Sequence, residues 1–411
     1  MRAILHSDLN CFYASVEMML DPSLRGKAVA VCGSTENRHG IVLAKSQLAK
    51  QAGVKTGMAN WEAREACPGL IVVPPQYDQY LKYSALTREI YYRYTDLVEP
   101  YGMDECWIDV TGSQRAYGTA MEIAEEIRKA TREELGLTVS IGVSFNKIFA
   151  KLGSDMKKPD AITEITPENF REKVWPLPAS DLLYVGRATT RKLADRSVYT
   201  IGDIAATNPE YLRSWFGVNG IALWTFASGN DTSRVMHKDF VSPVKSVGHG
   251  ITCVTDLHDE DEVWKVMLEL SQDIGHKLRL HGLMANGVQI FVRGNDLGYR
   301  QFQARLPYAT RSQMEIALTA RKLFHENYVW VNPVRAVTVR AINLAPEGNP
   351  QQFDLFTDTA KIDKQDRLET TIEEIRRRFG KRSIFAAALM GDLKMPDRGN
   401  AEIIMPGMMY S

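Results

Sequence analysis

Short apolar blocks bounded by turn-formers alternate along the chain with longer stretches of helical period. Residues 1–10 read as a strand built on Ala3-Ile4-Leu5, giving way after Asp8 to a helix that stops before Asp21-Pro22. Val29–Cys32 and Gly40–Leu43 are the next strands, the second leading into a helix over Lys45–Ala52 that ends at Gly53. Val72-Val73-Pro74-Pro75 closes this stretch. A tyrosine-rich helix over Tyr77–Leu97 follows, then a strand around Asp104–Val110 and an amphipathic helix Gly118–Glu134. Thr138–Val143 is a strand, and Asn146–Met156 a helix with a polar cap. This order predicts a sheet containing antiparallel strands, with helices on one face. No Gly-x-Gly-x-x-Gly follows a strand, which sets aside a dinucleotide-binding fold.

Residues 167–240 read as wholly helical, with glycine turns at Val185-Gly186-Arg187-Ala188 and Ile201-Gly202-Asp203. Backbone N–H groups freed at such turns can hold a phosphate. Phe240–Ser246 is a linker. Residues 246–345 then run strand, helix (Glu260–Leu280), strand, strand, helix (Ser312–Tyr328), strand, a βαββαβ order that packs two helices on a four-stranded sheet. Arg293, Arg300, Arg305, Arg335 and Arg340 lie on or beside those strands. If they share the open face, it would track a phosphate backbone. After residue 345 come a Pro/Gly/Asn stretch, a charged helix Asp363–Arg378 and a Met-rich end. That helix is either a solvated charged surface or an added contact to a phosphate backbone. The class is α+β.

Length adds that 411 residues exceed one core, so two to four domains are expected. The 50 basic and 50 acidic residues balance, which argues against a basic coat but leaves room for basic grooves beside an acidic site. Five scattered cysteines without metal-knuckle spacing predict free thiols and a cytoplasmic setting. With no apolar run of membrane length and a strand-like start, neither a membrane span nor a signal peptide is expected.

The candidate chemistry lies in Asp8, at the end of the first strand, and Asp104-Glu105, at the start of a later one. An isolated Asp-Glu pair is usually plain surface. A carboxylate ending a buried strand is costly unless paired or metal-bound. If the two strands are neighbours, the three acids converge, and such hard oxygen ligands suit Mg²⁺ with room for waters and phosphates. Two ions roughly 3.5–4 Å apart would activate an attacking oxygen and stabilise a leaving one.

Four motifs then carry a resemblance. Asp8-x-Asn10-Cys11-Phe12-Tyr13-Ala14-x-Val16-Glu17 and Asp104-Glu105-x-x-x-Asp109-Val110 resemble the metal motifs of the Y-family (translesion) DNA polymerases. Gly142-Val143-Ser144-x-Asn146-Lys147-x-x-Ala150-Lys151 and Asp155-Met156-Lys157-Lys158-Pro159 are similar to further motifs of that family. Order and spacing follow the bacterial polymerase IV branch from residue 1 to about 345. Arg376-Arg377-Arg378-Phe379-Gly380-Lys381-Arg382 resembles the C-terminal extension of the polymerase V catalytic subunit, whose kind needs accessory subunits.

The resemblance implies a right-hand polymerase: palm (1–10 and 77–166), fingers (11–76), helical thumb (167–240), little finger (241–345) and a tail (346–411). It implies error-prone, template-directed DNA synthesis from dNTPs on a primer 3′-OH, without proofreading. Asp8, Asp104 and Glu105 would be catalytic and, with the Leu9 carbonyl, would bind two Mg²⁺, for which Mn²⁺ substitutes. Asp109 is read as structural. Tyr13 matches the steric gate against a ribose 2′-hydroxyl. Cys11, Phe12, Tyr13 and Lys158 would contact the nucleotide, as would Gln47 and Lys50, which stand where the family has tyrosine and arginine. Lysine keeps the charge there but loses the planar fork. Gly186, Arg293, Arg300, Arg305 and Arg340 would contact primer-template DNA. Gln352, Leu355 and Phe356 resemble the peptide that docks bacterial polymerases on the sliding clamp. A monomer is expected. The rival readings are a nucleotidyl cyclase sharing the palm and a non-catalytic DNA- or clamp-binding module.

Overall fold

The structure, a computed structural model, describes residues 2–36, 38, 40–351, 353 and 357–396. In chain order its strands are β1 (Ile4–Leu9), β2 (Val29–Cys32), β3 (Val42–Lys45), β4 (Ile71–Val73), β5 (Val98–Pro100), β6 (Glu105–Asp109), β7 (Val139–Ser144) and β8 (Ile162–Ile165). β9 (Ser246–Leu257), β10 (Leu283–Gly294), β11 (Tyr299–Thr310) and β12 (Val334–Pro346) follow. Two compact units form: one holds the chain up to Ser242 without Gly33–Ile41, the other the chain from Pro243.

In the first unit the central sheet has the order β5-β6-β1-β7-β8. β1 pairs antiparallel with both β6 and β7, while β7 and β8 are parallel. Alternation sends Leu5, Ile108, Ile141 and Val143 to one face, where they pack with Tyr91, Ile123 and Ile127 of helices Tyr77–Tyr92 and Ala120–Leu135. Ile4 and Trp107 point the other way and meet Ala150 of helix Lys147–Met156. The expectation of helices on one face is therefore corrected. Gly142 makes the second layer possible: a Cβ there would lie 1.9 Å from the Ala150 carbonyl oxygen and 2.5 Å from Ser154 N. Asn146 starts that helix by accepting from Phe149 N at 2.8 Å.

The stretch after the first helix builds a small sheet, β3-β2-β4, over a core that includes Ala30, Val42, Ala49, Val54, Ala63 and Leu70. Its third strand runs on to Lys45, and Ser46 caps a short helix Gln47–Gln51. Lys45, read from sequence as the first residue of a helix, is thus the last residue of a strand. The tyrosine-rich helix likewise ends early, because the following residues supply β5 to the edge of β6. From Phe170 to Ala227 the chain is short helices around Leu193, Ile201, Ile204, Leu212 and Leu223. Residues 228–240 are not helical as expected. They form a strap whose backbone is held by polar partners: Met236 N donates to Glu99 Oε2 at 3.0 Å, and Arg2 donates to the Ser233 carbonyl at 2.7 Å.

The second unit is the antiparallel sheet β11-β10-β12-β9 with helices Glu260–Leu280 and Gln313–Asn327 on one face. Val263, Ile274, Val288, Ile290, Val337 and Val339 lie in its core. The charged tail helix, Thr359–Phe379, is not merely solvated. Its Glu369 is 2% exposed and accepts from Ser312 Oγ (2.7 Å), Gln313 N (3.0 Å) and Arg279 Nη2 (2.8 Å). That carboxylate caps the helix beginning at Gln313. Asp366 receives a two-pronged Arg311 at 2.9 and 2.9 Å.

Candidate active site

β1 ends in a corner that several backbone bonds hold. Leu9 N donates to the Asp104 carbonyl at 3.0 Å and Asn10 N to the Thr138 carbonyl at 2.9 Å. Cys11 turns the chain with φ 51°, and helix Phe12–Leu20 follows without a side-chain cap. Its first-turn N–H groups are left for a ligand or solvent. Asn10 is spoken for: Nδ2 donates to Ser140 Oγ at 2.9 Å, and Oδ1 accepts from Asp160 N at 2.8 Å. This residue fastens the corner to the loop that carries Lys158.

β1 and β6 are neighbours, and Asp8 lies directly opposite Glu105. The acids do not close on a single point, however; among the described residues no three of His, Cys, Asp and Glu are grouped to hold an ion as they stand. Two lysines lie among them. Lys158 Nζ is 2.7 Å from Asp8 and 2.8 Å from Asp155, and Lys151 Nζ is 2.9 Å from Glu105 and 3.6 Å from Asp8. Burial, then the charge of Glu105, pushes Asp104 up to about 6. Asp8 is raised by the same two causes against the pull of both lysines. Burial acts upward on Glu105 too, but His6 and Lys151 outweigh it and hold this carboxyl low. Glu105 Oε2 is nevertheless buried and, among the described residues, has no hydrogen-bond partner, with His6 Nε2 standing 3.4 Å off. Buried hard-oxygen donors with an unfilled acceptor and a surplus of mutual repulsion fit a divalent cation.

His6 was not anticipated. It is fully buried, with Nδ1 2.9 Å from Ser154 Oγ and Nε2 3.4 Å from Glu105 Oε2. Burial pushes it down to about 4, so it is neutral at physiological pH. Its spacing of two residues before Asp8, hence the same strand face, was the available signal. Asp109 accepts from Thr111 N at 2.9 Å where the strand ends, in keeping with a structural part.

A cleft of about 310 Å³ opens beside the acids, lined by Asp8, Leu9, Cys11, Phe12, Asp104 and Lys158 from the main sheet and corner. Lys45, Gln47, Lys50 and Thr56 line it from the small sheet. Tyr13 stacks on Tyr80, centroids 4.1 Å apart at 6°, and its hydroxyl reaches Met103 Sδ at 3.5 Å. A second cavity of about 640 Å³, among Tyr184, Lys192, Trp215 and Phe226, lies away from the acids in the helical part. Gly186 is the N-cap of helix Arg187–Ala194, with no side-chain cap.

In the second unit, register puts Arg293, Arg305 and Arg340 on one face: Gln289 pairs with both Gln303 and Arg340, and Gly287 with Arg305. Arg300 pairs with Val292, a core residue, so alternation takes it off that row. The idea of one face shared by all five is corrected for Arg300, and Arg335 falls at the register shift between Val334 and Ala336, outside the paired row. Gln352, Leu355 and Phe356 lie outside the described residues.

Comparison with known proteins adds what geometry leaves open. The impB/mucB/samB family matches residues 7–155, and the family's C-terminal domain matches 244–355. DNA polymerase IV of Acetivibrio thermocellus is 46% identical over 391 residues, 95% of this chain and 98% of that protein. The chain belongs to the Y-family DNA polymerases. DNA polymerase IV of Moorella thermoacetica (36% identical, covering 94% and 95% of the two chains) and DNA polymerase IV 2 of Bacillus subtilis (36%, 94% and 94%) are further relatives. A solved Y-family DNA polymerase chimera of Dbh and Dpo4 shares the fold, with a TM-score of 0.74 at 23% identity over 84% of this chain and all of that one. As a Y-family polymerase resembling polymerase IV, the chain is a DNA-directed DNA polymerase of translesion synthesis, in a metal-dependent family. The cyclase reading falls away. Because the first match takes in 391 of the residues, most of the tail helix has a counterpart in a protein named polymerase IV. Among the described residues no helix is long and apolar enough to cross a membrane.

Proposed function

We propose that Asp8, Asp104, Glu105 and the Leu9 carbonyl hold two Mg²⁺ ions, replaceable by Mn²⁺, while the primer end and a dNTP meet in the cleft. Bound there, the ions would supply charge stabilisation for attack of the primer 3′-oxygen on the α-phosphate and departure of pyrophosphate. The observation that carries this reading is the register: Asp8 faces Glu105 across β1–β6, with Leu9 tied to Asp104, at the floor of a cleft edged by cations.

The chain's own groups then divide the work. Lys151 and Lys158 hold the acids' charge before ligands arrive, and Lys158 is within reach of a phosphate entering beside Asp8. Cys11, Phe12 and Tyr13 offer first-turn N–H groups to the triphosphate, and Gln47 and Lys50 approach it from the fingers. The Tyr13 ring forms the wall under the sugar, backed by Tyr80. Gly186 in the thumb and Arg293, Arg305 and Arg340 in the little finger would bind the DNA backbone, with Arg300 at the margin. Palm 1–10 and 77–166, fingers 11–76, thumb 167–240, little finger 241–345 and tail 346–411 are the working divisions.

Synthesis is read as error-prone and without proofreading, by a monomer in the cytoplasm, with Gln352, Leu355 and Phe356 docking on the bacterial sliding clamp. Primer extension with Mg²⁺ tests the core of this reading. Wild-type chain is expected to extend and Asp104→Ala to lose extension; extension that survives Asp104→Ala refutes the mechanism. Clamp docking is tested separately with the 348–360 peptide, and no binding at tens of micromolar counts against it.

A further inference from the structure

The fingers contribute a cation that the family motif does not include. Lys45 ends β3, opposite Ala30 of β2, and its side chain turns into the cleft, where Nζ donates to Thr56 Oγ1 at 2.8 Å. Neither Lys45 nor Lys50 has a carboxylate partner among the described residues. The contrast with the palm is sharp: Lys151 and Lys158 each touch two or more acids in the same site. Burial lowers the Lys45 ammonium, the Cys11 thiolate would pull the other way, and the charge of Lys50 lowers it further. Lys45, Lys50 and Lys158 line one cleft together with Cys11, at the start of helix Phe12–Leu20. Lys45, half-buried, and Lys50, exposed, thus add cations that no acid pairs among the described residues, and an anionic ligand would stabilise them.

Resting on the polymerase reading above, we propose that Lys45 is a third lysine contact to the triphosphate of the incoming nucleotide, aimed by Thr56. Beside Lys158, it and Lys50 rebuild from point charges what the family's tyrosine and arginine supply by hydroxyl and fork. Gln47 contributes no charge, so the extra cation offsets the change at that position. A seat of this kind counts phosphate charge more than phosphate geometry. Three consequences follow together: strong preference for triphosphate over diphosphate, salt-sensitive nucleotide affinity, and tolerance of how the phosphates lie.

The test measures dNTP affinity for wild-type chain on a dideoxy-terminated primer-template, where no chemistry occurs, alongside Lys45→Ala, Lys45→Arg and Lys45→Gln. A hydrogen bond between charged groups is worth ~1.5–3 kcal/mol, or tenfold and more in affinity. Lys45→Ala is therefore expected to weaken dNTP binding about tenfold and to leave primer-template affinity unchanged. Lys45→Arg should recover most of it. Should Lys45→Ala fail to fold, Lys45→Gln keeps the stem and a donor to Thr56 and carries the same expectation. Wild-type dNTP affinity in a folded Lys45→Ala or Lys45→Gln, with wild-type chain extending primers, overturns this inference alone. Wild-type chain that extends no primer overturns the polymerase reading as well.

Discussion

Tyr13 gives the sharpest test of how the cleft reads a sugar. Its ring is not free to swing: it lies parallel to Tyr80 at 4.1 Å and edge-on to Tyr77 at 6.1 Å. The hydroxyl is a minor part, since its contact to Met103 Sδ spans 3.5 Å. Tyr13→Phe should therefore keep the wall, with stability within about 0.5 kcal/mol of wild type. Tyr13→Ala removes it. A fully buried aromatic truncated to alanine costs ~3–5 kcal/mol, and this ring is half-buried, so about 2 kcal/mol is expected. For a unit of this size that lowers the melting temperature by roughly 4–8 °C. The functional effect is separate. A wall that cannot yield penalises one added hydroxyl by the ~1–3 kcal/mol of overpacking, a factor of roughly 5–150 in rate. Tyr13→Ala should thus narrow the preference for dNTP over rNTP by that factor, read as the ratio of kcat/KM values in single-nucleotide primer extension. An unchanged ratio in a Tyr13→Ala chain that still makes DNA refutes the gate. So does a collapsed ratio in Tyr13→Phe, which would move discrimination to the hydroxyl.

Three other substitutions probe what supports the site. Gly142→Ala would drive a Cβ to 1.9 Å from a backbone oxygen of the helix bearing Lys151, so stability should fall by about 3 kcal/mol, with extension reduced even where the chain is folded; a wild-type melting curve contradicts this. Glu99→Ala strands the buried Lys147 ammonium, 2.7 Å away in the native pair, and should cost about 3–5 kcal/mol in urea unfolding, whereas replacing both residues by methionine should recover most of it. Glu369→Ala removes the shared acceptor of Arg279, Ser312 and Gln313 N, with a loss of about 3–5 kcal/mol in the unfolding of the second unit; a change below about 1 kcal/mol would mean that the tail helix is not a structural part of it.

Much of this fold was legible because its signals are local. The helix Glu260–Leu280 was read to the residue, since Asp259 caps it and its apolar period is unbroken. Asp8 and Asp104-Glu105 stood out because acids at the ends of apolar strands need a reason. What escaped depended on contacts distant in sequence. β5 and β8 are short and gain strand character only from β6 and β7 beside them. Nothing local to Gly142 says that a helix will lie across it. The strap after Ala227 looked helical because its irregular backbone is satisfied by Glu99, Lys147 and Arg2, all remote in sequence. Glu369 looked solvated because its partners other than Gln365 are some 55 to 90 residues away.

Lys45 joins both kinds of information. Its run, Leu43-Ala44-Lys45-Ser46-Gln47, has no strong strand signal at its end, and lysine and glutamine both favour helix. Pairing of Lys45 with Ala30 and capping by Ser46 start the helix two residues later, at Gln47, and leave Lys45 on the strand side. On a helix starting at Lys45, that ammonium would share a face with Leu48 and Ala49 and point with the helix surface. On the strand it faces Thr56 and the cleft. A two-residue error in where a helix begins thus changes which cations are counted in the nucleotide seat. Gln47 and Lys50, taken alone, make that seat look weakened. Counted with Lys45, it holds three positive charges against the two acids, Asp8 and Asp104, that line the same cleft.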